Sequence, residues 1–314
     1  MVTDFKAEVV RILSQAWPNL NPALLPGGSP VGETLPDSLL EDIAEYYSQD
    51  HKRDIHFQHG EGLPLLARVP ARGYWEDDWQ AKPSATHPWP VILIHGTGSS
   101  PGNFEEMGAE LRAEGWTVFA PAYGHRATDS LISSAAQVGA YIDTVLAATG
   151  AEKVILVGHS QGGLLIRWWM RFLGGAAYTK HVVTLSSPHH GTSKGGILSQ
   201  VINTPRAEKF MDTLIFRIFG PAGPDQISGS AALEQLNAAG DTEAGISYTC
   251  LSTHFDSVVQ PPESAFLRPT APNSEVRNIW VGDLDPRALI SHKQMSYDPQ
   301  PRKIVCADLA RFSQ

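Results

Sequence analysis

The chain has 314 residues, 42% of them hydrophobic and 18% charged, with a formal net charge of −9; this suits one large α/β domain carrying extra segments, with a core that needs no disulfide support. The acidic balance, with no basic run to neutralise phosphates, argues against nucleic acid or an anionic membrane surface as the main partner. Cys250 and Cys306 lie far apart and in no C-x-x-C or Cys/His pattern, so neither a zinc site nor a thiol redox motif is indicated, and buried free thiols or a single disulfide both remain open.

From the amino terminus, an amphipathic helix is expected over Phe5–Trp17, then a Pro/Gly-rich stretch over Pro18–Pro36, a second helix over Ser38–Tyr47 and an irregular Trp/Pro-rich approach to Pro90. Residues 1–88 read as an N-terminal extension packed on a main domain at 89–314. The first residues mix charge with apolar positions, unlike a signal peptide, and no stretch reaches the roughly 20 apolar residues of a membrane span. The expectation is a soluble, cytoplasmic protein with no integral span; a leader removed ahead of residue 1 would leave the same sequence and make it a secreted one.

From Trp89 the pattern turns regular. Strands are expected at Val91–Ile94, Trp116–Ala120, Val154–Val157, His181–Leu185, Ile246–Leu251 and Val276–Val281, with helices at Phe104–Glu114, Asp129–Thr149 and Lys303–Phe312. Short β-branched runs alternating with helical segments imply parallel strands joined by crossovers. Between 193 and 245 the alternation breaks, and an insertion there would overhang the carboxyl edge of the sheet as a helical cap.

Gly158-His159-Ser160-Gln161-Gly162 joins the apolar strand Lys153–Val157 to a helical segment. A serine on such a strand-turn-helix bend has strained backbone angles and an exposed hydroxyl, and the flanking glycines permit the close approach of strand and helix. Ser160 is therefore the candidate nucleophile. Such a serine needs a base and an acid to orient that base, in the chain order Ser, Asp or Glu, His. Of the twelve histidines only His254 and His292 follow the fifth expected strand, and His254 lies too close to it to come after an acid. His292 is left as the base. Asp256, directly after that strand, is the preferred acid; Asp283 and Asp285 also precede His292 and remain alternatives.

The tetrahedral oxyanion needs two donors, expected from the backbone N–H of Gln161 and from Thr97 in the Gly-rich loop Ile94–Ser100. His95 reads as structural, packed beneath the serine turn. That loop lacks the spacing and Lys-Ser/Thr ending of a phosphate loop, and no metal-ligand spacing appears, so no cofactor or metal is expected.

Taken together, Ile94-His95-Gly96-Thr97-Gly98, Gly158–Gly163, Leu185-Ser186-Ser187-Pro188-His189-His190-Gly191-Thr192, Asp256–Pro261 and His292–Pro299 resemble the α/β-hydrolase lipases of actinobacteria, class 2 triacylglycerol lipases, with a more distant likeness to fungal lipase B. The resemblance runs from about Pro90 to the carboxyl terminus. It implies the α/β-hydrolase fold, a mostly parallel central sheet flanked by helices, with Ser160, Asp256 and His292 as catalytic triad and Thr97 and Gln161 as oxyanion hole. A carboxylic ester or lipid is then the expected small-molecule substrate, with Ile197, Leu198 and Phe216 of the cap receiving the acyl chain. An intracellular thioesterase or acyltransferase using the same triad is the alternative.

Overall fold

Six strands, β1 (Val91–Ile94), β2 (Val118–Phe119), β3 (Val154–His159), β4 (Thr179–Leu185), β5 (Ser247–Ser252) and β6 (Glu275–Trp280), form one sheet in the order β2-β1-β3-β4-β5-β6 with every pairing parallel. The computed structural model describes residues 63–68, 70–198, 208–284 and 289–314. The helices expected at Phe5–Trp17 and Ser38–Tyr47, and the Pro/Gly-rich stretch between them, lie outside these residues.

Both faces of the sheet are covered, which is why its inner strands read as continuous apolar runs rather than alternating ones. Ile92, Ile94, Val154 and Leu156 point to one face and Val91, Leu93, Ile155 and Val157 to the other. The first face is packed by α2 (Leu131–Thr149) and α3 (Gln161–Phe172), through side chains such as Val138, Ile142, Leu165 and Trp169. The second is packed by α1 (Glu105–Ala113) and the last helix, here α7 (Pro299–Leu309), through Met107, Leu111, Val305 and Leu309. By length and composition α2 is long and apolar enough to cross a bilayer, contrary to the expectation that no stretch is. Its side chains Leu131, Val138, Ile142 and Val145 are fully buried, as in the central helix of a globular core.

The chain visits β1, steps outward to β2 and returns to the other side of β1 as β3. Crossovers therefore depart in opposite directions from β1 and β3, and the crevice at their carboxyl ends is where open parallel sheets bind ligands. That crevice receives the loop after Ile94 and the turn at Ser160.

The largest differences from expectation are at β2 and at the terminal helix; β3 and β4 run two residues beyond the expected bounds, to His159 and from Thr179, and Val281 opens a helical turn instead of ending β6. β2 is only Val118–Phe119, because Trp116 N–H donates to the Leu111 carbonyl at 3.0 Å and finishes the preceding helix instead of entering the sheet. The terminal helix starts at Pro299, since Asp298 caps it by accepting from Gln300 N–H at 3.0 Å and a proline at the first helical position needs no N–H partner.

Within the inserted segment lie α4 (Lys194–Leu198), α5 (Glu208–Phe219) and α6 (Ala231–Asn237). Ile197, Ile215, Ile218 and Phe219 form a small separate core there, against which Leu66 packs. Ahead of the sheet, Asp77 accepts from Tyr141 Oη (2.6 Å), Trp75 Nε1 (2.7 Å) and Ala120 N–H (3.0 Å), fixing residues around 72–80 to the domain. Cys250 and Cys306 are both free and buried.

Candidate active site

At the end of β3 the backbone of Ser160 takes φ 53° and ψ −123°, a conformation costly for any side-chain-bearing residue. The turn is held by contact on every side: a Cβ on Gly162 would sit 2.1 Å from the Ile94 carbonyl oxygen, and one on Gly158 would sit 2.6 Å from the Gly163 nitrogen. The serine is the residue before α3, so the positive end of that helix lies beside the nucleophile.

His292 arrives from the other end of the domain, on the 3-10 turn His292–Ser296 that precedes α7. Its Nε2 lies 3.0 Å from Ser160 Oγ and its Nδ1 lies 2.8 Å from Asp256 Oδ2. The carboxylate can only accept, so the Nδ1–H donates to Asp256 and Nε2 is left to accept the serine proton. Asp256 Oδ1 accepts from Val258 N–H (2.9 Å) and Val259 N–H (2.8 Å). Burial opposes its ionisation, but the adjacent His292 and these two N–H groups outweigh that and hold its pKa below the usual carboxylate range. Of the alternative acids, Asp283 lies 3.6 Å from the exposed ring of His254, and Asp285 lies outside the described residues.

His159 lies inside the serine pentapeptide, whose pattern leaves that position open to any residue. Its Nε2–H donates to the His292 main-chain carbonyl at 2.9 Å, tying the turn to the backbone that carries the base. Burial, with the His292 ring beside it, lowers its pKa to about 3, so it stays a neutral donor. His95 lies under the site with its ring stacked on Tyr123 at 4.4 Å between centroids, and burial lowers its pKa to about 4.

Ahead of the serine, the loop Gly96–Ser99 is drawn so close that a Cβ on Gly96 would be 2.8 Å from Ser160 Cβ. His125, Arg126 and Ala127 all have positive φ (45°, 67° and 57°), and this left-handed run faces the loop with both ends of Arg126. Its carbonyl accepts from Gly98 N–H at 2.8 Å, while its guanidinium donates to the Ser99 carbonyl at 2.8 Å and to that of Gly98. Thr97 Oγ1 donates to Gln161 Oε1 at 3.1 Å and accepts from Gln226 Nε2 at 2.9 Å. Neither Arg126 nor Gln226 stood in any motif; no local spacing marks a residue whose partners are nearly thirty or more than a hundred positions away.

A cavity of about 210 Å³ opens over Ser160, Thr97 and His292, with Leu66, Ile197, Phe219 and Val258 on its apolar side. Ile197 is thus in the cavity wall. Phe216 is half-buried on α5 and is not among the lining residues, and the side chain of Leu198 lies outside the described residues. Arg72, Arg126 and Lys293 line the cavity, Arg72 being paired with Glu106 behind the wall, and no carboxylate lines it among the described residues; the remaining positive charge favours negative charge developing on a bound group. No cluster of three or more metal-ligating side chains occurs among the described residues.

A model of the alpha/beta hydrolase family matches residues 91–307. Triacylglycerol lipases of Pseudarthrobacter phenanthrenivorans and Burkholderia plantarii are each 34% identical over 125 residues, which is 37% of this chain and 38% and 34% of theirs. The chain thus spans little more than a third of the length of these curated relatives. Among solved structures, Aspergillus fumigatus lipase B has a TM-score of 0.55 at 16% identity, covering 89% of this chain and 69% of that one. Bacillus licheniformis lipase BlEst2 has a TM-score of 0.52 at 16% identity, covering 77% and 99%. At such identities the likeness is one of fold.

Proposed function

The chain belongs to the alpha/beta hydrolase family, and on that premise we propose that it is a serine carboxylic ester hydrolase working through a Ser160–His292–Asp256 triad and an acyl-enzyme. The observation that carries this reading is the continuous relay from Ser160 Oγ through His292 to Asp256, at 3.0 and 2.8 Å, beneath an open cavity.

In this mechanism His292 Nε2 takes the Ser160 proton as Oγ attacks the ester carbonyl, and the carbonyl pair moves onto oxygen. The backbone N–H groups of Gln161 and Thr97 hold that oxyanion. Each such donor typically accounts for roughly 2.7 to 4 kcal/mol of barrier lowering. Collapse of the intermediate breaks the ester bond and the alcohol leaves with the proton from His292. Water, deprotonated by His292, then attacks the acyl-enzyme; the acid departs and Ser160 Oγ recovers its proton. Asp256 holds the imidazole in the required tautomer throughout and stabilises its transient charge.

Because the curated relatives are triacylglycerol lipases, and Leu66, Ile197, Phe219 and Val258 offer apolar surface beside the serine, acyl esters with longer chains are the proposed substrates. Hydrolysis of p-nitrophenyl esters from acetate to palmitate, with triolein alongside, is expected to favour the medium and long chains and to vanish in Ser160→Ala. A sharp optimum at acetate without triolein hydrolysis would remove lipids as substrates; undiminished hydrolysis by Ser160→Ala would remove the serine mechanism.

A further inference from the structure

We propose that Gln226 is a positioning residue for the oxyanion site, holding the Thr97 hydroxyl so that its proton can be delivered to the tetrahedral intermediate; this rests on the acyl-transfer reading above. Gln226 lies in the inserted segment, far from every motif, yet it is only 4% exposed and its side chain is built into the floor of the cavity.

The orientation of its amide follows from its neighbours. The Nε2 group lies 2.8 Å from the Ala222 main-chain carbonyl, which can only accept, so the nitrogen and not the oxygen must face that way. The same nitrogen lies 2.9 Å from Thr97 Oγ1 and therefore donates there too. One lone pair of the Thr97 hydroxyl is thereby occupied, and its own proton is directed toward the other side, where Gln161 Oε1 accepts it at 3.1 Å. Thr97, Gln226 and Ser160 all line the same cavity, so the hydroxyl held in this way is on the side of the nucleophile where the oxyanion would form. As the bond from Ser160 Oγ to the carbonyl carbon forms, the hydroxyl proton turns from Gln161 Oε1 to the new oxyanion. The Gln226 bond is retained and polarises the hydroxyl as it donates.

The backbone of Gln226 is fixed as firmly as its side chain. Its carbonyl accepts from Thr192 N–H at 2.9 Å and its own N–H donates to the Gly223 carbonyl at 3.2 Å. Thr192 Oγ1 in turn donates to the Val258 carbonyl and accepts from Gln260 N–H at 2.9 Å. Gln226 and the loop carrying Asp256 therefore share one support, which links the inserted segment to both the acid and the oxyanion donors.

The test is a double-mutant cycle on kcat and KM with a p-nitrophenyl ester, using Gln226→Met in wild-type, Thr97→Val and Thr97→Ser backgrounds. A hydrogen bond used chiefly in the transition state lowers kcat and leaves KM alone. Gln226→Met is expected to lower kcat roughly tenfold with KM within about twofold and an unshifted pH profile. In Thr97→Val, which has no hydroxyl to position, the further loss should fall below about twofold; in Thr97→Ser the roughly tenfold loss should return. An unchanged kcat in Gln226→Met, or an equal loss in the Thr97→Val background, overturns the proposal. If Gln226→Met does not fold, Gln226→Glu, which keeps the size and loses the donor at neutral pH, is read by the same criteria. Labelling of wild-type Ser160 by a fluorophosphonate separates the two failures: no label refutes the acyl-transfer reading itself, whereas normal label with a flat cycle refutes only the role of Gln226.

Discussion

At the scale of single residues, the decisive relation is between His292 and Asp256, whose carboxylate meets a ring nitrogen at 2.8 Å and two backbone N–H groups on its other oxygen. Asp256→Asn keeps the shape but presents an amide where a carboxylate must accept, so His292 loses the tautomer that leaves Nε2 free. A fall of about 10⁴ in kcat is expected in steady-state ester hydrolysis. Asp283→Asn, whose partner is the exposed His254, is expected to stay within about twofold of wild type. The strand-turn-helix pentapeptide pointed to Ser160, and chain order then pointed to His292 and preferred Asp256 while leaving Asp283 and Asp285 open. It could not see His159, Arg126 or Gln226, because their parts are defined by contacts across the sheet and from the inserted segment rather than by spacing.

At the scale of elements, the turn between β3 and α3 stores strain where the chemistry is proposed to happen. Ser160 holds φ 53° in a turn packed on every side: a Cβ on Gly158 or Gly162 would meet backbone, and one on Gly163 would sit 2.2 Å from Ser187 Oγ. Removing the side chain should relieve the strain, which is of order 1–3 kcal/mol for such backbone angles. Ser160→Gly is therefore expected to be inactive and yet more stable by about 1 kcal/mol, read from the urea midpoint; Ser160→Ala, which keeps the Cβ, should gain less. The glycines were legible in the sequence as a pattern, but the surfaces they press against were not. The shortened β2 and the early start of α7 were misread for a related reason: a turn bond from Trp116 and a cap from Asp298 override the local apolar pattern.

At the scale of the whole molecule, alternation of β-branched runs and helical segments was sufficient to foresee parallel strands joined by crossovers, and the structure covers both faces of their sheet, so that each buried strand is apolar on both sides. The price of that burial appears in the histidines. Burial lowers His95 to about 4 and His159 to about 3, and pushes His189 well below its ordinary value. In the unfolded chain each would take a proton near pH 6.5. Below that pH the unfolded state binds more protons than the folded one, so stability falls with pH until the folded values are reached. Asp143, raised to about 6 by burial, works the other way between its unfolded and folded values. A net uptake of about two protons on unfolding is expected near pH 5, equivalent to about 3 kcal/mol of lost stability per pH unit. Urea titrations from pH 7 to 5 would show this as a steadily falling midpoint; a flat midpoint would mean that these rings are protonated in the native state.

The most direct measurement of the central claim is fluorophosphonate labelling of the folded protein followed by peptide mass spectrometry. The acyl-transfer account predicts one stoichiometric adduct on the peptide containing Ser160, absent in Ser160→Ala and formed at least about a hundredfold more slowly in His292→Ala, which lacks the general base. An unlabelled wild-type protein, an adduct on another residue, or a rate indifferent to His292 would contradict it.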